Sequence, residues 1–107
     1  MEPMLDSFTR HLRAENRSPR TVQSYEESVR QFTAFILDRG MPTRIAAITR
    51  EHVELWMEHL LKVRKAATAA VRFRSLQQFF KWATDEGEIG ASPMARMSPP
   101  KVEQAPP

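Results

Sequence analysis

Between Ser18 and Gly40 the chain carries a full specification for one long amphipathic helix. Ser18 is placed to be the N-cap, and Pro19 the first helical residue, where its missing N–H costs no hydrogen bond. Val22, Tyr25, Val29, Phe32 and Ile36 recur every three or four residues and form a single apolar stripe. Gly40 supplies the stop, because glycine reaches the left-handed conformation that closes a helix. Most helices with one apolar face owe their stability to neighbours that cover it, so the rest of the chain has to supply such neighbours. The same helix start has a chemical side. Arg17 and Arg20 lie where free backbone N–H groups would face an anion.

The flanking segments provide the neighbours. Before Ser18, a helix is expected over about Met4–Glu15, with Pro3 near its entrance and Leu5, Phe8 and Leu12 on one face. Arg10, His11 and Arg13 fall on its remaining surface, and Asn16–Pro19 forms a turn. After Gly40, Pro42 bars a helical continuation, so Met41–Ile48 is an irregular crossing whose Ile45 and Ile48 cover an end of the core. Thr49 is the next expected N-cap, with Glu51 in the first turn. The third helix then runs to about Leu61 on the stripe Val53, Trp56, Met57, Leu60, and that place favours Trp56 as a core residue over a stacking platform. Residues 62–66 lead to a fourth helix over Ala67–Asp85, with Ala69, Phe73, Leu76, Phe80 and Ala83 inward. Val71, Phe79 and Trp82 fall outside that narrow stripe. They require either a wider contact with neighbouring helices or a partner outside the chain. Gly87 and Gly90 bracket the exit, with Ile89 folding back. From Ser92 onward proline is frequent and apolar periodicity is gone. The expected organisation is a helical domain over 1–91 and a proline-rich linker or tail over 92–107.

At 107 residues there is room for one modest core. No apolar run approaches the roughly 20 residues that span a membrane, and Glu2 and Asp6 do not suit a secretory signal. With no cysteine there is no disulfide framework, and a cytoplasmic setting is expected. His11, His52 and His59 are far apart, so no metal site is expected. No phosphate-binding loop, dinucleotide fingerprint or metalloprotease motif occurs, and neither a cofactor nor a small-molecule substrate is implied. Glu26 and Glu27 are adjacent and cannot face one site from the same helix; Glu51 and Glu58 stand two turns apart on an accessible face. Neither pair makes an acid–base couple. The chain reads as non-enzymatic. The formal net charge is only +3, but it is segregated. Lys62, Arg64, Lys65, Arg72, Arg74 and Lys81 occur in a stretch without an acid, whereas Glu51, Glu54 and Glu58 occur in one without Lys or Arg. A segregated positive surface suits a polyanion.

A family resemblance runs through the same residues. Ser18-x-x-Thr21-x-x-x-Tyr25, then Phe32, Phe35 and Arg39-Gly40, resembles the opening of the core-binding domain of tyrosine recombinases, the group of phage integrases and Xer-type enzymes. Phe73-x-x-Leu76-x-x-x-Phe80-Lys81-Trp82, Asp85-Glu86-Gly87-Glu88-Ile89 and Ser92-Pro93-Met94 continue it, and Pro99-Pro100-Lys101 is similar to the linker that leads to the family's catalytic domain. The likeness extends from Met4 to Lys101. It implies an all-α fold: a compact, SAM-like four-helix bundle of two crossed antiparallel helix pairs. It also implies the smaller half of a C-shaped clamp around double-stranded DNA during integration or recombination. A separate, larger C-terminal domain would supply the cleaving tyrosine, and recombinase protomers would assemble on the DNA.

Carried onto this chain, the resemblance places Arg17, Ser18, Arg20, Thr21 and Ser24 near phosphates. Lys65, Thr68, Arg72, Arg74, Gln78 and Lys81 form a pool of further contacts, not all able to face one groove. Tyr25 is not the cleaving tyrosine; its ring fits the stripe, and its hydroxyl is left open between core and surface. Two departures stand out. Gln77 and Gln78 are uncharged where the family often has a basic residue, which weakens the expected backbone contact. Ser92 replaces the usual asparagine before proline and retains its capping ability. The alternative is a helical protein-interaction domain that uses a Phe79/Trp82 patch.

Overall fold

The computed structural model describes residues 1–103; Pro106 and Pro107 of the expected linker lie outside the described residues. Four helices carry the chain: α1 (Glu2–Ala14), α2 (Pro19–Asp38), α3 (Arg50–Val63) and α4 (Ala66–Asp85), with a short 3₁₀ turn at Ile45–Ala47 in the crossing from α2 to α3. There is no strand among the described residues. The first helix begins two residues earlier than the periodicity implies, because Pro3 is accommodated within its first turn, where no donor is needed.

Capping sets the ends. Ser18 accepts the amide of Thr21 at 3.2 Å, and Pro19 follows in the first turn of α2. At α3, Thr49 is the N-cap and the Nδ1 of His52 accepts the Thr49 amide at 3.0 Å, the part that Glu or Gln usually plays in a capping box. Three helices close in the same way, on left-handed residues: Asn16 at φ 61°, Gly40 at 69° and Gly87 at 78°. The amide just beyond each reaches back across the turn, Arg17 to Leu12 at 3.1 Å, Met41 to Ile36 at 2.9 Å and Glu88 to Ala83 at 3.0 Å. These bonds satisfy carbonyls that the helix leaves open. Ser18→Ala removes one such device, and thermal or urea unfolding should show a loss of about 0.5–2 kcal/mol.

Short connections arrange the helices as two antiparallel pairs. Four residues join α1 to α2, and only Arg64 and Lys65, both extended, join α3 to α4. The most extensive packing between helices is that of α2 against α4. The core is aromatic and has two parts. In one, Phe8 of α1 meets Phe79 edge-on at 5.2 Å, stacks on Tyr25 at 6.1 Å and lies 5.4 Å from Trp82. In the other, Phe32 lies 5.2 Å from Trp56 and 6.2 Å from Phe80. Phe79 and Phe80, about 100° apart on the helix, therefore serve different halves of the core.

The protein-interaction alternative needs correction. Phe79 is fully buried and Trp82 only 8% exposed, so these residues do not form a docking patch. The wider contact is the answer: α1 packs on the side of α4 that its single stripe leaves open. Of the surplus residues only Val71 remains exposed. The chain stays packed just after the expected boundary at Ser92. Met94 is fully buried in the same core, and the amide of Met94 donates to Ser92 Oγ at 3.0 Å. Turn bonds from Ala95 to Ser92 and from Met97 to Met94 hold the segment. The packed body thus continues past residue 91, where one anchoring methionine leaves no periodicity to read.

Candidate nucleic-acid interface

The positive residues of α4 divide by helical register. Ala67, Val71, Arg74, Gln78 and Lys81 are spaced three or four apart and occupy one face. Gln78 is half-buried and the other four are exposed. Arg72 sits on the opposite side, turned toward α2. Its guanidinium donates to the Ser24 carbonyl at 3.3 Å and to the buried Ser28 hydroxyl at 3.1 Å, and lies 3.3 Å from Glu27. With its side chain only 14% exposed, Arg72 ties α2 to α4 and has no free fork for a phosphate. Ser24 is drawn into the same contact through its carbonyl. Arg72→Ala should accordingly cost about 1–3 kcal/mol in a denaturant titration by leaving buried polar partners unmade. It should leave the salt dependence of any DNA binding unchanged.

Several hollows stand along α4, and two of them gather cations from neighbouring elements. At its amide end, Lys62, Val63, Arg64, Lys65 and Thr68 line a shallow basin open to solvent. Lys65 is the N-cap, and no side chain caps the first-turn amides of Ala66, Ala67 and Thr68. Uncapped amides beside three cations favour an anion. The expected anion entrance at α2 differs. Pro19 has no N–H and Ser18 takes the Thr21 amide, so only the Arg20 amide remains of the first three. Ser18 Oγ also donates to Thr21 Oγ1 at 2.9 Å, so both hydroxyls serve the cap. Lys62 and Arg64 join the site here. The acid-free run in the sequence contained both, but the resemblance did not point to them.

Farther along α4, Gln78 and Lys81 meet Arg17 around a second hollow of about 220 Å³, between the end of α1 and α4. Glu15 and Asp85 also line it. Glu15 draws on Arg17 at 3.4 Å and lies 3.6 Å from His11, so Arg17 is the most neutralised cation of the group. Arg20 is exposed beside this turn. In register Arg74 lies between the two hollows, and the positive face follows much of α4, a helix about 30 Å long. The acidic residues Glu51, Glu54 and Glu58 are exposed on α3. The described residues contain no group of three or more His, Cys, Asp or Glu able to hold a metal, and no helix among them is long and apolar enough to cross a membrane.

The helical bundle thus carries a cationic face along α4 and, at the uncapped start of that helix, a basic basin. The chain belongs to the family described as phage integrase, N-terminal SAM-like domain, whose model matches residues 4–87. It is 30% identical over 107 residues to the tyrosine recombinase XerC of Chlorobaculum parvum, covering 94% of this chain and 32% of that protein. With the tyrosine recombinase XerC of Mycobacterium sp. (strain JLS) it shares 28% identity over 104 residues, or 95% of this chain and 35% of the relative. That of Roseiflexus castenholzii is 30% identical over 109 residues, 97% of this chain and 33% of the relative. The chain thus spans about a third of the length of these relatives. No solved structure gives a significant match.

Proposed function

We propose that this chain is a DNA-binding module of a site-specific tyrosine recombinase, one that closes on duplex DNA opposite a catalytic domain. The observation that carries the reading is the positive face of α4, bounded by the uncapped basic basin at Lys62–Thr68 and by Arg17 at the other end. Lys65, Arg74, Lys81 and Arg17, with Lys62 and Arg64, supply the phosphate contacts; Ser18 and Thr21 shape the turn that holds Arg17. The module itself performs no chemistry. Strand cleavage belongs to a C-terminal domain of the parent recombinase, and protomers meet on the DNA in the cytoplasm. Alone, the module binds weakly; tethering to a catalytic domain raises its effective concentration on the site.

The test is an NMR titration of the labelled chain with a short generic duplex at low and moderate salt. Salt-sensitive shifts at Arg17–Arg20 and Lys62–Lys81, with Glu51–Glu58 unmoved, are the expected result. The absence of any shift at millimolar DNA and low salt would refute the reading. No observation favours the protein-interaction alternative, since Phe79 and Trp82 are internal.

A further inference from the structure

Val71 is the one surplus apolar residue of α4 that the fold leaves in water, at 46% exposure. Single exposed apolar residues are common and by themselves need no explanation. The surroundings of this one set it apart. Leu37 is followed by Asp38, and Leu55 shares its face with Glu51 and Glu58, positions that a polyanion avoids; Leu61 and Val63 are exposed beside the cations of the basin but at the end of α3, off the face of Arg74, Gln78 and Lys81. Val71 instead shares its face with Arg74, Gln78 and Lys81, so a duplex drawn to those cations is brought against its methyl groups.

From this juxtaposition, and resting on the DNA-binding reading above, we infer that Val71 and Gln78 read two A·T base pairs in the major groove, about three steps apart. The spacing follows from helix geometry. The two residues are seven apart in sequence, a rise of about 10 Å, which is close to three base steps of 3.4 Å. The chemistry follows from the side chains. A glutamine amide donates to adenine N7 and accepts from the adenine N6 amino group. Valine offers no hydrogen bond, but it fits the thymine C5-methyl, the one apolar group on a major-groove edge. Arg74 lies between them in register and Lys81 just beyond Gln78; both are long enough to hold the flanking phosphates. An uncharged Gln78 on this face therefore exchanges one backbone contact for selectivity.

The test is selection from a random duplex pool at low salt by the 107-residue chain, followed by sequencing. The wild-type chain should enrich A·T pairs about fivefold or more at two positions three steps apart. Gln78→Ala should flatten only the adenine preference, and Val71→Ala only the preference for thymine over cytosine. In the selected duplex, replacing that thymine by uracil removes only the methyl. It should weaken the wild-type chain by about fourfold, the worth of one buried carbon, and leave Val71→Ala unaffected. Both variants should melt as the wild type does. Salt-sensitive retention of the pool with no enrichment, or preferences that survive the two substitutions, overturns this inference while the DNA-binding reading stands. Failure to retain any duplex at low salt overturns both.

Discussion

Phe79→Ala is expected to lower the unfolding free energy by about 3–5 kcal/mol. The ring is fully buried and sits between Phe8, at 5.2 Å, Phe80, at 5.6 Å, and Trp82, at 6.0 Å. Its loss leaves a cavity where α1 leans on α4, and the two-sided contact limits how far the walls can collapse. Small domains have about 5–15 kcal/mol in all, so the variant should be partly unfolded at moderate temperature. Val71→Ala, two turns earlier on the same helix but exposed, should stay within about 0.5 kcal/mol of the wild type. Thermal melts followed by circular dichroism make the comparison. An unchanged melt for Phe79→Ala would return that ring to the surface and revive the protein-docking alternative. Equal losses for both variants would contradict the register of α4.

Neutralising the positive face should have the largest effect on binding. With Arg17, Lys65, Arg74 and Lys81 all replaced by alanine, the slope of log K against log salt should become shallower by about 3.6, at about 0.9 per lost phosphate contact. Fluorescence anisotropy of a labelled duplex, measured over a range of salt concentrations, reads this slope directly. All four residues are exposed, so the melting curve should move little. Exchanging Glu51, Glu54 and Glu58 for glutamine adds positive net charge on another helix and should leave the slope nearly as it was. If the two sets change the slope alike, binding follows net charge and not the geometry of α4. Arg17 should contribute the least of the four, because Glu15 already screens it.

Every helix could be read from local signals: Ser18 and Thr49 as caps, Gly40 and Gly87 as stops, and the stripes through Phe8, Phe32, Trp56 and Phe73. Arg72 could not. In sequence it is one more basic residue of an acid-free run, and only the crossing of α2 over α4 shows that it faces Ser24 and Ser28. Ser18 and Thr21 are polar residues beside two arginines, yet their hydroxyls bond each other within the cap. A free amide end beside cations lies instead at α4, where Lys65 is an N-cap residue without a capping oxygen.

The sequence by itself determined the number of helices, their principal inward stripes, most of their ends to within two residues and the basic bias of α4. All of these depend on interactions within about one turn of the chain: capping bonds, φ preferences and side-chain spacing. Only the tertiary structure decided that Phe79 and Trp82 are core, that Met94 anchors the chain beyond α4, and which cations stay free. Those outcomes depend on which surfaces meet across long separations, as when α1 covers a second side of α4. A local pattern records that a residue is apolar or charged; its neighbours in space decide whether that property is spent inside the protein or left for a partner.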